Sequence, residues 1–93
     1  MNNPHATREL EIVNRLGLHA RAAARFVEVA SAHQAEIRVQ LDQRTANGKS
    51  IMGLMMLAAS RGTRITVTAT GADARQSVEA LAELVADRFG EPD

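Results

Sequence analysis

The sequence predicts an α+β fold, a two-layer sandwich in which helices cover one face of a sheet. Three observations carry this expectation. Some short segments alternate apolar with polar residues, others repeat apolar residues every three or four positions, and their order along the 93 residues reads β-α-β-β-α-β-α. Strands with one apolar face and helices with one apolar stripe need a common partner, and stacking the helices on one side of the sheet supplies it. A chain of this length is sized for one domain, residues 1–93, and not for two independent cores.

Each element has its own signal. Residues 8–13 (RELEIV) alternate charged residues with Leu10 and Ile12, the period of a half-buried strand, and Asn14 to Gly17 breaks it. From His19 the period lengthens. Ala23, Phe26, Val27 and Ala30 form a helical stripe that ends near His33, with Arg21, Arg25 and Glu28 free to take the other side. Glu36 to Leu41 alternates again, and the Asp42-Gln43 turn leads into a short return strand at 44–47, closed by Asn47-Gly48. Residues 50–59 (SIMGLMMLAA) start on a good N-cap and read as a short helix that is apolar nearly all round.

Residues 64–70 (RITVTAT) form the clearest strand, with Ile65, Val67 and Ala69 inward and Arg64, Thr66, Thr68 and Thr70 on a solvated outer row. Asp73 followed by Gln76 resembles a capping box, and a stripe of Val78, Leu81, Ala82, Val85 and Phe89 predicts a long helix stopped by Gly90 and Pro92. The two ends, residues 1–7 and 91–93, read as flexible.

Composition narrows the function classes. Eleven basic residues balance eleven acidic ones, and only 2% of residues are aromatic, so neither nucleic acid nor an anionic membrane surface is an expected partner. The absence of cysteine removes thiolate metal sites and thiol nucleophiles. The first residues lack the apolar segment of a secretory signal, and no apolar run approaches the roughly 20 residues of a membrane helix. A soluble, intracellular chain is expected. No Asp or Ser near a histidine completes a hydrolytic triad, no metal-ligand spacing is present, and Glu9, Glu11 and Glu36 sit in strand patterns as solvated faces.

The chemistry-bearing stretch is GLHARAAARF, residues 17–26. Gly17-Leu18 turns the chain just before the helical period starts, so His19 falls at or next to an N-cap. The unpaired amides of Ala20, Arg21 and their neighbours then offer an anion site. A phosphoryl acceptor needs a neutral imidazole whose lone pair can attack, and the new phosphoryl oxygens would lie against those donors. Arg21 in the first helical turn opposes the helix dipole unless it serves an anion. A solvated, ordinary polar histidine is the competing reading, and these residues alone leave both open. His5 and His33 are read as ordinary polar residues.

The second helix carries Ile51, Met52, Leu54, Met55, Met56 and Leu57, more than one stripe can bury. Leu54 and Leu57, with Ile51 or Met55, can cover the sheet and leave Met52 and a neighbour as an adaptable contact surface; a core that encloses the whole helix is the equal alternative. Ser50 reads first as an N-cap and second as a modification site.

Two stretches, GLHARAA at residues 17–23 and NGKSIMGLMMLAASRG at residues 47–62, together resemble the HPr family of phosphocarrier proteins, over about residues 8–90. The resemblance implies an HPr-like open-faced two-layer β-sandwich, a four-stranded antiparallel sheet with three helices on one face in the order βαββαβα. It also implies a carrier of the phosphoenolpyruvate-dependent phosphotransferase system, cytoplasmic and monomeric, without cofactor or metal, rather than a stand-alone enzyme. Phosphorylated enzyme I would hand its phosphoryl group to Nδ1 of His19, assisted by Arg21, and a IIA-type component would take it onward for sugar uptake or regulation. Ser50 matches a regulatory serine modified in many bacteria by an HPr serine kinase/phosphorylase, and Leu18, Ile51, Met52 and Met55 fall on the partner-binding face. Ala22 stands where many members have proline, and Glu28 and Ser31 stand where some carry basic residues. A regulatory protein-interaction module of the same fold, acting through Ser50 and the Met-rich helix, is the alternative function.

Overall fold

A computed structural model describes residues 4–93. Its elements are β1 (His5–Glu11), α1 (Ala20–Ser31), β2 (Glu36–Leu41), β3 (Arg44–Asn47), α2 (Ile51–Met56), β4 (Arg64–Thr70) and α3 (Ala74–Ala86), followed by a tight left-handed turn at Arg88–Gly90. The four strands form one antiparallel sheet in the order β1-β4-β2-β3, and the three helices lie on one face of it.

Strand alternation sets that geometry. Ile37, Val39 and Leu41 of β2, with Ile65, Val67 and Ala69 of β4, are buried on the inner face, while Glu36, Arg38 and Gln40 face out. Val39 lies opposite Val67 in the β2–β4 register, so the two central strands meet at the middle of the core. Against this floor α1 lays Ala22, Ala23, Phe26 and Ala30, all fully buried, and α3 lays Val78, Leu81 and Val85. Small residues on α1 let its axis approach the sheet closely, and Phe26 fills the volume they leave.

Four local expectations need correcting. β1 starts at His5 and ends at Glu11, and His5, Ala6 and Thr7 pair with Thr70, Ala69 and Thr68. Residues 5–7 are therefore ordered strand, because the ladder is built from backbone groups and needs only Ala6 as an inward side chain; residues 1–3 lie outside the described part. Asp73 occupies the N-cap position of α3 but forms no capping box with Gln76. Its carboxylate instead accepts the amides of Gln34 (2.9 Å) and Ala35 (2.8 Å), two donors left without partners where α1 gives way to β2.

The second helix spans only Ile51–Met56, because Ala58 turns into the left-handed region (φ 55°) and ends it. That turn frees the carbonyl of Ala59 to accept the Leu18 amide at 2.9 Å. Finally, α3 stops at Ala86 and does not run on through Phe89. Arg88, Phe89 and Gly90 have φ of 57°, 56° and 77°, three successive left-handed residues of which two are not glycine. Each non-glycine residue there costs about 1–2 kcal/mol. Burial of the Phe89 ring, which has no exposed surface, returns roughly 2–3 kcal/mol, and Arg25 Nη1 donates to the Phe89 carbonyl at 2.7 Å. The bend turns the following residues back toward the start of α1.

Two stability measurements check this account. The Gln34 amide, with that of Ala35, draws the Asp73 carboxyl below its ordinary value of 3.8 against the opposing effect of desolvation. A group with a depressed folded-state pKa contributes stability that is complete above the unfolded value and is lost as pH falls through the folded one. Asp73→Ala should therefore lower the melting temperature at pH 7, and the gap between variant and wild type should close as pH falls below about 4. Phe89→Ala should destabilise the chain by about 3–5 kcal/mol in urea unfolding, the cost of an emptied core aromatic site.

Candidate functional site

The loop between β1 and α1 is shaped by a buried asparagine. Asn14 has no exposed surface, and its Nδ2 donates to the carbonyl of Gly17 (2.8 Å) while the Gly17 amide returns to the Asn14 carbonyl (3.2 Å). Gly17 sits at φ 68°, and a Cβ there would stand 2.5 Å from the Ala59 oxygen, so only glycine closes this turn. The turn delivers His19 to the N-cap of α1 in extended conformation (φ −78°, ψ −177°).

The His19 side chain does not cap its own helix. The first intrahelical bond runs from the Ala23 amide to the His19 carbonyl (2.8 Å), which leaves the amides of Ala20, Arg21 and Ala22 ahead of it without helical acceptors. The ring is about 29% exposed. Its Nε2 meets Glu91 Oε2 at 2.5 Å, while Nδ1 has no hydrogen-bond partner among the described residues. An imidazole held by one nitrogen at a helix N-terminus presents the other as a nucleophile.

Glu91 was outside the sequence-predicted site, in an end expected to be flexible. The left-handed bend after α3 places it there, 72 residues from His19, and its side chain is only 12% exposed. Asn14 Nδ2 donates to its other oxygen at 3.0 Å, and the Asp93 carbonyl accepts the Arg15 amide at 2.9 Å, so residues 91–93 are tied to the β1–α1 loop. Desolvation pushes the Glu91 carboxyl up, but hydrogen bonds from Asn14 and His19, with the nearby charges of His19 and Arg21, outweigh it and hold the group below its ordinary value. A glutamate directly after a helix-stopping Gly90 is the one sequence signal that marked this position.

A cleft of about 650 Å³ opens over the ring, lined among others by Leu16, His19, Ala20, Arg21 and Glu91. Arg21 is exposed at its edge, as the anion reading requires. Leu18 departs from expectation. Its amide is bound to Ala59 and its side chain, 4% exposed, packs into the core, so it offers no contact surface; Leu16, 58% exposed, stands at the cleft in its place.

On α2 the division of side chains is clear. Leu54 and Leu57 are buried, whereas Ile51, Met52, Met55 and Met56 are 42%, 69%, 39% and 73% exposed. The helix is thus not enclosed by the core. Ser50 caps it, Oγ accepting the Gly53 amide at 3.0 Å. His33 serves structure, its Nδ1 bonded to the Val29 carbonyl (2.9 Å) and its own carbonyl held by Lys49 (2.9 Å), and His5 lies in β1. Among the described residues no cluster of three or more His, Cys, Asp or Glu could hold a metal ion, and no helix is long and apolar enough to cross a membrane.

This arrangement has counterparts. A family model described as the PTS HPr component phosphorylation site matches residues 6–87. The chain is 49% identical over 82 residues to the phosphocarrier protein HPr of Neisseria meningitidis serogroup A, covering 88% of this chain and 92% of that protein. It is 39% identical over 84 residues to the phosphocarrier protein NPr of Shewanella violacea, covering 90% and 92%. The crystal structure of HPr-C-His from Thermoanaerobacter tengcongensis matches the fold with a TM-score of 0.90 at 41% identity, over 95% of this chain and 99% of that one. The match to that family model, the identity to these phosphocarriers over most of both chains and the shared open-faced sandwich place the chain in the HPr family of phosphotransferase-system phosphocarriers.

Proposed function

We propose that this chain carries its phosphoryl group on Nδ1 of His19, accepting it from phosphorylated enzyme I and passing it to a IIA-type component. The observation that carries this reading is the asymmetry of the His19 ring, with Nε2 engaged by Glu91 and Nδ1 unpartnered next to the free amides that open α1. In transfer, the Nδ1 lone pair attacks phosphorus in line with the departing donor nitrogen. The developing phosphoryl charge is met by the Ala20 and Arg21 amides and by the Arg21 guanidinium, a local set of donors that a neutral chain can concentrate in one place. The partner supplies the rest of the enclosure, which suits a carrier rather than a stand-alone enzyme.

Docking falls to the exposed part of α2, Ile51, Met52 and Met55, extended by Met56 and by Leu16 at the cleft. Flexible methionines can repack against successive partners, and a small apolar patch releases them quickly. Ser50 stands at the head of this patch, half-buried and engaged as a cap. Phosphorylation there by a serine kinase would set a dianion beside Ile51 and Met52 and weaken apolar docking, giving the patch a regulatory control. The same reading makes the chain a cytoplasmic monomer.

Incubation with phosphoenolpyruvate and a cognate enzyme I should produce acid-labile, base-stable phosphate on the wild-type chain and none on His19→Ala; full labelling of that variant would remove His19 from the role. Met52→Asp should raise KM for enzyme I about tenfold, equivalent to about 1.4 kcal/mol of docking energy, and leave kcat within about twofold. If Met52→Asp and Ser50→Asp abolish partner binding while His19→Ala changes neither binding nor function, the chain is a regulatory interaction module instead.

A further inference from the structure

We propose that Glu91 is a positioning residue for the transfer: its carboxylate keeps the ring proton of His19 on Nε2 and faces the positive charge the ring acquires when Nδ1 bonds phosphorus. The inference rests on the function proposed above and adds a residue to it from the far end of the chain.

The electron balance shows why such a group matters. As the Nδ1 lone pair forms the new N–P bond, the donor's own bond to phosphorus breaks and its electron pair returns to the donor nitrogen. The proton on Nε2 stays, so the His19 ring becomes cationic while the phosphoryl group it holds is a dianion, and no proton enters or leaves. Onward transfer reverses these changes. An imidazole whose proton sits on Nδ1 has no lone pair there and cannot begin the step. A carboxylate bonded to Nε2 excludes that tautomer and meets the new positive charge with a charge-assisted hydrogen bond, the same logic by which an acid behind an imidazole acts in other nucleophilic sites.

The structure invests several contacts in placing this carboxylate. Asn14 occupies Oε1 and leaves Oε2 to His19. Hydrogen bonds from those two side chains, set against desolvation, keep the group ionised. The bend that delivers it is held from α1, where Arg25 bonds the Phe89 carbonyl (2.7 Å), and from the loop, where Arg15 bonds the Asp93 carbonyl (2.9 Å). Gly90 cannot be enlarged without disturbing this hold, since a Cβ at its φ of 77° would stand 2.6 Å from Arg25 Nη1.

The test uses the full chain labelled with ¹⁵N-histidine, at a pH where the ring is neutral, together with the kinetics of phosphorylation by enzyme I. Wild type should show a slowly exchanging proton on Nε2 and a bare Nδ1, and Glu91→Ala should lose that protected Nε2–H signal. Its kcat should fall about tenfold with KM for enzyme I within about twofold, the scale on which partners that orient a histidine act. Glu91→Gln keeps the size of the side chain and guards against a folding artefact. Asn14 and His19 bond different oxygens, one of which becomes a donor NH2 in the glutamine, so it cannot accept from both in place, and it carries no charge; kcat should again fall. Gly90→Ala retains the carboxylate but displaces it, and should reproduce the loss. A proton found on Nδ1 in wild type, or wild-type kcat in both Glu91→Ala and Glu91→Gln, would overturn the role of Glu91. A wild-type chain that takes no phosphate at His19 would overturn the carrier function itself, a separate and distinguishable result.

Discussion

The site depends on one buried side-chain amide. Asn14 holds the turn that ends at Gly17 and, through the same nitrogen, the carboxylate of Glu91, so it joins segments 77 residues apart. Each of those segments then fixes one side of His19, the loop by setting its backbone at the N-cap and the C-terminal bend by engaging Nε2. Asn14 Oδ1 is buried and receives no hydrogen bond from any described residue. An unsatisfied buried acceptor costs about 1–3 kcal/mol, so this joint favours the order of the site over the stability of the fold.

Much of the fold was legible because β2, β4 and α1 are locally consistent. Their alternation and helical periods already match the faces that the tertiary structure buries, and Ile37, Val39, Ile65, Val67 and Phe26 all lie where their spacing predicts. His19 was legible for the same reason, since a turn glycine directly ahead of a helical period locates a helix start. The errors came where a long-range contact decides a local conformation. Asp73 looks like a cap in the one-dimensional pattern, but two amides from another loop reach its carboxylate first. Leu18 and Leu16 are equivalent by composition, and only the bond from the Leu18 amide to Ala59 turns one inward and leaves the other out.

Glu91 was the least legible residue of the site. A glycine and a proline around it read as helix termination, and nothing in Arg88 or Phe89 announces a left-handed backbone. That conformation is sustained by the buried Phe89 ring and the Arg25 bond, which are tertiary facts. The exposed methionines present the opposite case. Six large apolar residues within the seven positions 51–57 exceed what one face of a sheet can take up, so an exposed surface was implied by counting, and the structure shows which side chains form it.

The strand order sets a schedule for the newborn protein. Among the described residues β1 has no neighbour in the sheet except β4, so during synthesis it waits unpaired until residues 64–70 have followed it. The histidine waits longer, because the carboxylate that grips it arrives only with residue 91. A nascent chain therefore exposes an imidazole free to rotate until residue 91 has been made, and acquires a fixed one only as the turn after α3 closes. Readiness of the site is, in this fold, tied to the segment that follows α3.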